Sequence, residues 1–302
     1  MIIYRNLNIK KIHKRSVIAI GNFDGLHLGH QKVLNQAKLK AKKNNLKFGV
    51  ITFEPIPNMF FDKGIKHHRI NLIEQKIYYF KKIKLDFLII IKFNRLFSNI
   101  SADNFIKKIL VNEIKSQYIF VSRNFRFGNK RLGDINTLKI FEKIFSFKII
   151  ITTPYKKNKK IISSTLIRKN IAKGKVEIVK KLLGRPWSIE GEVIKGDKRG
   201  RKIGFPTCNI KWNSYALPKL GVYAVKVESK NFKKNGIANI GYRPTFNGKT
   251  LLLEVNIFGI KANLYKKTLK VSFVKFIRSE KKFKNISELK NQIKKDITAA
   301  KK

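Results

Sequence analysis

Two histidines three residues apart, His27 and His30 in the segment GNFDGLHLGH (residues 21–30), are the first groups along the chain whose type and spacing can do chemistry. At a helix start both imidazoles can face one point, and the helix N-terminus there already favours an anion. Gly21, Gly25 and Gly29 permit tight turns and close approach of backbone to ligand. Two imidazole donors beside free N–H groups make a phosphate cradle, able to stabilise charge developing on a transferring nucleotidyl group. Metal ligation by the pair is the other reading. A second Gly-punctuated segment, GDKRGRKIGFPTCNI at 196–210, sets Lys198, Arg199 and Arg201 among Gly196, Gly200 and Gly204. That suits a flexible flap whose cations neutralise phosphates; the GK[ST] ending of a Walker A loop is absent.

These groups need elements to hold them. Over the first 180 or so residues, short β-rich runs (17–20, 48–53, 87–91, 118–121, 147–151) alternate with helical patterns (31–43, 72–82, 102–110, 135–144). Such alternation predicts a doubly wound α/β domain, a parallel sheet with helices on both faces, and ligands in such sheets bind beyond the carboxyl ends of the strands. A further helical stretch runs from 165 to about 183, and then the pattern changes. Strands at 188–194, 221–228, 236–240, 251–258 and 269–276, separated by Gly, Asn and Pro turns, predict a small antiparallel β-barrel, because closure removes open edges. A closing helix over 288–300 follows Ser287 as N-cap. The expected domains are 1–183 and 184–302.

Composition narrows the class. A 43% hydrophobic content argues against disorder. No apolar run approaches the ~18 residues that span a bilayer, and no signal peptide is read at the N-terminus, so a soluble cytoplasmic protein without a membrane partner is expected. The single cysteine, Cys208, excludes an intrachain disulfide framework and a multi-Cys zinc site. Sixty-eight basic against eighteen acidic residues give a formal charge of +50, but only thirteen of the cations are arginines and the excess is spread along the chain. Readers of nucleic acid concentrate charge and use Arg for bidentate contacts; a general drift toward Lys, Ile, Asn and Phe explains the balance, and no specific nucleic-acid partner is expected. In so Lys-rich a chain the few arginines and acids become informative, among them Arg126, Arg168, Arg201, Arg278, Asp134, Glu254 and Glu280 in Gly/Pro-punctuated segments.

At these motifs the sequence resembles the HxGH nucleotidyltransferases and, within them, the bacterial bifunctional riboflavin kinase/FMN adenylyltransferases, over nearly its whole length. TFEPIPNMFF (52–61) is similar to the family's TFEPHP segment with Ile56 in place of His; SRNFRFGNKRLGD (122–134) resembles its G-x-[DN]-F-x-FG segment with Ser122 in place of Gly; ISSTLIR (162–168) matches ISSTxIR in full. The segment at 196–210 resembles the kinase signature G-x-x-x-G-R-x-x-GFPTAN, with Cys208 where Ala is usual. GVYAV, GIANIGYRPTF, LLEVNIF and IRSEKKF follow in the family's order, with Asn256 and Gly259 where His and Asp are frequent.

The resemblance implies that residues 1–183 form an FMN adenylyltransferase and 184–302 a riboflavin kinase. ATP would serve as co-substrate, Mg²⁺ as cofactor, and riboflavin, FMN and FAD as substrates and products. It implies that His27 and His30 contact ATP phosphates, with Gly21, Asn22, Phe23, Asn124, Ser164, Thr165 and Arg168 completing that site. In the kinase, Gly196, Lys198, Gly200 and Arg201 would meet ATP, Thr207 and Asn209 would bind Mg²⁺, Glu254 would be the general base and Arg278 would lie near the flavin. The chemistry agrees at several of these points. Ser164 and Thr165 open a helix with Arg168 one turn on, and a hydroxyl and an amide are hard oxygen ligands of the kind Mg²⁺ accepts. A Glu directed inward from an apolar strand is costly without a task. Two other readings stay open: an FMN adenylyltransferase whose weakened kinase domain only binds flavin, and a basic nucleic-acid-binding protein. An oligomer is compatible with all of them.

Overall fold

The computed structural model describes residues 1–157, 160–196, 199–245, 248–260 and 262–302. It divides into two compact units, Met1–Lys66 with Leu72–Ser163, and His67–Asn71 with Ser164–Lys302.

The first unit is a six-stranded parallel sheet. Its strands are β1 (Ile2–Tyr4), β2 (Val17–Ile20), β3 (Phe48–Glu54), β4 (Phe87–Lys92), β5 (Tyr118–Ser122) and β6 (Lys148–Thr152), in the spatial order β1-β4-β3-β2-β5-β6. Strands such as VIAI and FLIIIK are apolar on both faces, as a sheet covered on both sides requires. One face packs Ile18, Ile20, Ile51 and Ile89 under Phe105, Ile109 and Leu138. The other packs Val17, Ala19, Val50 and Leu88 under Leu34, Ala37 and Phe80. The covering helices include α1 (Leu28–Lys43), α2 (Pro57–Phe61), α3 (Ile73–Ile83), α4 (Arg95–Ser98), α5 (Ala102–Asn104) and α6 (Ile135–Ile144), with α5 running on as a π-helical stretch Phe105–Glu113. The chain leaves β2 toward β3 and β4 on one side and returns to β5 and β6 on the other. The switch point therefore lies between the carboxyl ends of β2 and β5, which pair directly. A two-stranded hairpin, β7 (Lys156–Lys157) and β8 (Lys160–Ile161), follows β6.

The second unit begins with two helices where one stretch was expected. These are α7 (Ser164–Ala172) and α8 (Val176–Leu183), separated at Gly174, whose φ of +70° no continuing helix can adopt. A closed barrel follows, ordered β10-β13-β12-β11-β14-β9. Its strands are β9 (Ser188–Ile194), β10 (Cys208–Ile210), β11 (Gly221–Glu228), β12 (Lys233–Thr245), β13 (Gly248–Ile257) and β14 (Thr268–Arg278), with a short α9 (Arg199–Lys202) between β9 and β10. The interior holds Trp187 stacked on Phe273 at 4.8 Å, with Tyr223, Leu253, Val255 and Val271 fully buried. The closing helix α10 spans Ile286–Lys301, and its N-cap is Asn285, not the expected Ser287: the Asn285 side chain accepts from the Glu288 N–H at 2.9 Å. Segment His67–Asn71 joins this unit through Arg69 N–H to Ser214 at 2.9 Å and Trp187 Nε1–H to the Ile70 carbonyl at 3.0 Å. Among the described residues no helix is long and apolar enough to cross a membrane.

Candidate active site

The loop leaving β2 is bent into a cradle by its backbone. Phe23, Gly25 and Leu26 all have positive φ, at +46°, +86° and +38°. Two of the three are bulky residues in a region L side chains avoid, which costs on the order of 1–3 kcal/mol each and persists only where surroundings enforce it. The enforcement is visible. The Asn22 carbonyl accepts from the Thr52 hydroxyl at 3.1 Å and from the Lys76 ammonium at 3.3 Å, while Gly21 N–H donates to Ile51. Phe23 and Leu26 are buried, and Gln31 Nε2 donates to the Leu26 carbonyl at 2.8 Å. Lys76, a fully buried lysine on α3, and Thr52 were not singled out in the sequence; TFEP and an unremarkable helical Lys gave no sign that both would converge on Asn22.

Helix α1 starts at Leu28 rather than 31, because His27 itself is the N-cap and its Nδ1 accepts from the His30 N–H at 3.2 Å. An accepting Nδ1 leaves the proton of a neutral ring on Nε2. The two imidazoles stack, ring centroids 3.6 Å apart at 18°, and the edge of Phe23 meets His30 at 5.3 Å. A Cβ at Gly29 would come within 3.1 Å of the His27 ring, so this glycine makes room for the stack. Asn124 lies just beyond the carboxyl end of β5, exposed, in a turn closed by Phe125 N–H to the Ser122 carbonyl at 3.0 Å. It follows the strand paired with β2, on the β5 side of the switch point. Past it Arg126 pairs with Asp134 at 3.1 Å. The Thr137 N–H is the main cause that holds the Asp134 carboxyl below its ordinary range. Ser164 and Thr165 open α7 in the second unit, with Arg168 on the face of Ser164 one turn on.

In the barrel, strand register does the positioning. Asn209 of β10 lies opposite Glu254 of β13, and Glu254 lies opposite Asn239 of β12. Directly opposed residues share a face, so an amide, a carboxylate and a second amide stand in a row across three strands. Leu253 and Val255 are buried at either side of Glu254, so strand alternation puts Glu254 and Asn256 on the other face. Glu254 is half-buried on the wall of a cavity of about 1180 Å³, which Thr207, Asn209 and Asn239 also line. Among the described residues no ion pair engages it.

The loop before β10 is fastened to β13. Asn256 Nδ2 donates to the Pro206 carbonyl at 2.6 Å, and the Cys208 thiol donates to the Val255 carbonyl at 3.4 Å. Burial pushes that thiol up to about 11, which marks it as packing and not as a nucleophile. Gly196 and Gly200 allow two close approaches: a Cβ on Gly196 would fall on the Asn209 amide, and one on Gly200 would meet the Phe205 carbonyl and sit 3.2 Å from the Thr207 hydroxyl. Arg201 lines the same cavity from α9. Lys198 lies outside the described residues. Arg278, at the end of β14, also lines the cavity, with its guanidinium bound to Asp296. Among the described residues no group of three or more His, Cys, Asp or Glu could hold a metal ion. Thr207 and the buried Asn209, both neutral oxygen donors on the cavity wall, fit a hard cation that brings further ligands of its own.

A strained loop and helix start at the switch point of a parallel sheet, together with a barrel cavity that sets a carboxylate among amides, define a transferase handling phosphorylated substrates at two centres. Residues 9–166 match the family described as FAD synthetase, and residues 183–302 the family described as riboflavin kinase. A bifunctional riboflavin kinase/FMN adenylyltransferase of Buchnera aphidicola subsp. Schizaphis graminum is 45% identical over 299 residues, covering 98% of this chain and 96% of that one. A protein of the same name from Bacillus subtilis is 40% identical, covering 95% and 92%. Among solved structures, one titled "Crystal Structure of Macrolide-efflux Protein from Streptococcus pneumoniae" is 30% identical, covers 99% of this chain and 98% of that chain, and superposes with a TM-score of 0.87. The efflux in that title is said of that protein; the relatives carry the enzyme name. The chain belongs to the bifunctional riboflavin kinase/FMN adenylyltransferase family.

Proposed function

We propose that the chain phosphorylates riboflavin to FMN with ATP in its barrel unit and adenylylates FMN to FAD in its parallel-sheet unit, working in the cytoplasm on small-molecule substrates. The observation that carries the kinase assignment is the Asn209–Glu254–Asn239 row on the cavity wall. Glu254 accepts the proton of the ribityl hydroxyl as that oxygen attacks the γ-phosphorus of ATP, and ADP leaves. Thr207 and Asn209 would hold Mg²⁺, which when bound neutralises charge on the phosphates. Gly196, Gly200 and Arg201 cover the nucleotide, the glycines by close backbone approach and Arg201 by its charge.

In the adenylylation, an FMN phosphate oxygen attacks the α-phosphorus of the second ATP in line, and pyrophosphate leaves with the electron pair of the broken P–O bond. No covalent enzyme intermediate is needed. His27 and His30 donate to the phosphates from the start of α1, and the bent Gly21-Asn22-Phe23 backbone fixes where they point. Asn124 serves the same step as a polar partner of phosphate; Ser164, Thr165 and Arg168 are assigned to it by the family resemblance alone.

One assay tests the whole. Purified protein with riboflavin, ATP and Mg²⁺ yields FMN and then FAD when the flavins are resolved chromatographically. His27→Ala stops the sequence at FMN, and Glu254→Gln blocks FMN formation but leaves adenylylation of supplied FMN. Loss of both steps in either folded variant would overturn the assignment of one centre to each unit.

A further inference from the structure

Helix α10 is docked in an unusual way. Its apolar stripe, Ile286, Leu289 and Ile293, lines the cavity instead of a packed core, and its one buried residue is a carboxylate, Asp296. Asp296 is 3% exposed and receives the Arg278 guanidinium through a forked contact, Nε to its two oxygens at 3.0 and 2.9 Å and Nη2 to Oδ2 at 2.7 Å. Gln292 Nε2 adds a bond to Oδ1 at 2.9 Å from within the helix. Arg278 Nη1 donates to the Ser279 carbonyl at 3.0 Å, and its guanidinium carbon lies 5.7 Å from the Phe283 ring centre. The guanidinium is therefore committed to the helix and its own strand end.

We propose that Asp296 is a positioning residue for the kinase step. Acting through Arg278, it clamps α10 to the end of β14 and so fixes the apolar wall against which the ring-bearing substrate is held. Position 296 continues the stripe of 286, 289 and 293 along the helix, so an anchor there sets the angle of the whole apolar face. A forked pair fixes angle as well as distance, which a single-point contact with lysine does not. The charge of Arg278 is neutralised at the cavity edge by the same contact.

This inference rests on the reading of the cavity as the kinase site, and the experiment separates the two. Asp296→Asn keeps the shape of the side chain and removes its charge; Arg278→Lys keeps the charge and removes the fork. Both are expected to raise the KM for riboflavin about tenfold or more, as loss of a hydrogen-bonded charge pair does. The KM for ATP, the kcat and the adenylylation of supplied FMN are expected to change little, and Asp296→Glu to recover part of the loss. Titrating the quenching of riboflavin fluorescence gives the same shift without turnover. Should Asp296→Asn not fold by circular dichroism, Asp296→Glu decides: its longer side chain displaces the fork while keeping the charge, and a riboflavin KM equal to that of the wild type overturns the proposal. An unchanged riboflavin KM, or an equal fall in every kinetic parameter, overturns the proposal. If Glu254→Gln retains kinase activity, the reading of the cavity has failed; if it loses that activity while riboflavin binding ignores Asp296 and Arg278, only the present inference has.

Discussion

Gly196→Ala should cripple the kinase without touching the adenylyltransferase, and the size of the effect follows from the packing around one amide. An added Cβ falls on the amide of Asn209. That amide has little room to retreat: Asn209 is 8% exposed and its strand is paired on both sides, to Ile194 of β9 and Glu254 of β13. The side chain must rotate or the strand end must move, and either displaces the amide oxygen from its place beside Glu254. Losing one hydrogen bond or ligand contact to a charged group costs about 1.5–3 kcal/mol, which is roughly a 10- to 150-fold fall in rate. Gly204 supplies the contrast. It has φ of +91° but nothing within 4 Å of its Cβ position, so alanine there strains the loop without striking Asn209. Steady-state phosphorylation of riboflavin at varied Mg-ATP reads the effect, with FMN adenylylation by the same preparation as control. Wild-type kinase kinetics in folded Gly196→Ala would refute the assignment of Asn209 to the phosphate and metal side of the cavity.

Two predictions concern titration. Cys208, pushed up by burial to about 11 from 9.0, carries about a hundredfold less thiolate at pH 8 than an unperturbed thiol; iodoacetamide labelling followed by mass spectrometry should be markedly slower in the folded chain than in the unfolded one, and equally rapid labelling would contradict it. Its raised value favours the folded state below pH 9, and that contribution is lost as pH rises from 9 toward 11. His13 is moved the other way: burial lowers its pKa from 6.5, against the opposing pull of Asp86, while its ring stacks on Phe87 at 4.5 Å and bonds the Tyr4 hydroxyl at 2.8 Å. A lowered histidine contributes stability that is present above pH 6.5 and falls away as the pH drops below it. Urea unfolding at pH 7.5 and 5.5 should show this loss in the wild type and a smaller one in His13→Gln; equal losses would exclude His13 as the source.

Much of the fold was legible because hydrophobic periodicity and turn residues agree with it. VIAI, FLIIIK and GVYAVKVE became strands with the bounds their apolar runs suggest or within one residue of them. The misses have physical causes. Strands β1 and β10 have three residues each and carry too little pattern to read. The early start of α1 is hidden because an imidazole is not among the usual capping groups, while at α10 Asn285 has a Glu three residues on, the capping-box spacing that Ser287 lacks. At the candidate sites, the residues assigned to substrate announce themselves through Gly-rich spacing, but those that hold them do not. Asp296 is the only aspartate after residue 197, so the rarity of acids was a usable sign. Its burial depends on Arg278, eighteen residues away, and no local pattern encodes that. Lys76 is harder still, one lysine among many.

The two centres are positioned by opposite means, and this bears on how each tolerates change. The adenylylation cradle depends on a bent backbone held by Thr52, Lys76 and Gln31 on two carbonyls. Shifting any one of those supports moves the histidines. In the barrel the carboxylate and its flanking amides are spaced by the ladder itself, about 4.7–4.9 Å from strand to strand, and the closed sheet leaves no edge to slip. The support there comes from β13, which carries Glu254 and, one pleat further on, Asn256. From that position Asn256 fastens the Pro206 carbonyl just before Thr207. A side chain at 256 with an N–H to donate therefore joins the strand of Glu254 to the loop of Thr207, and asparagine in place of the histidine that the resemblance leads one to expect has that donor. On this geometry Asn256 ties the loop of Thr207 to β13 through one N–H, a contact that needs no ionisable ring.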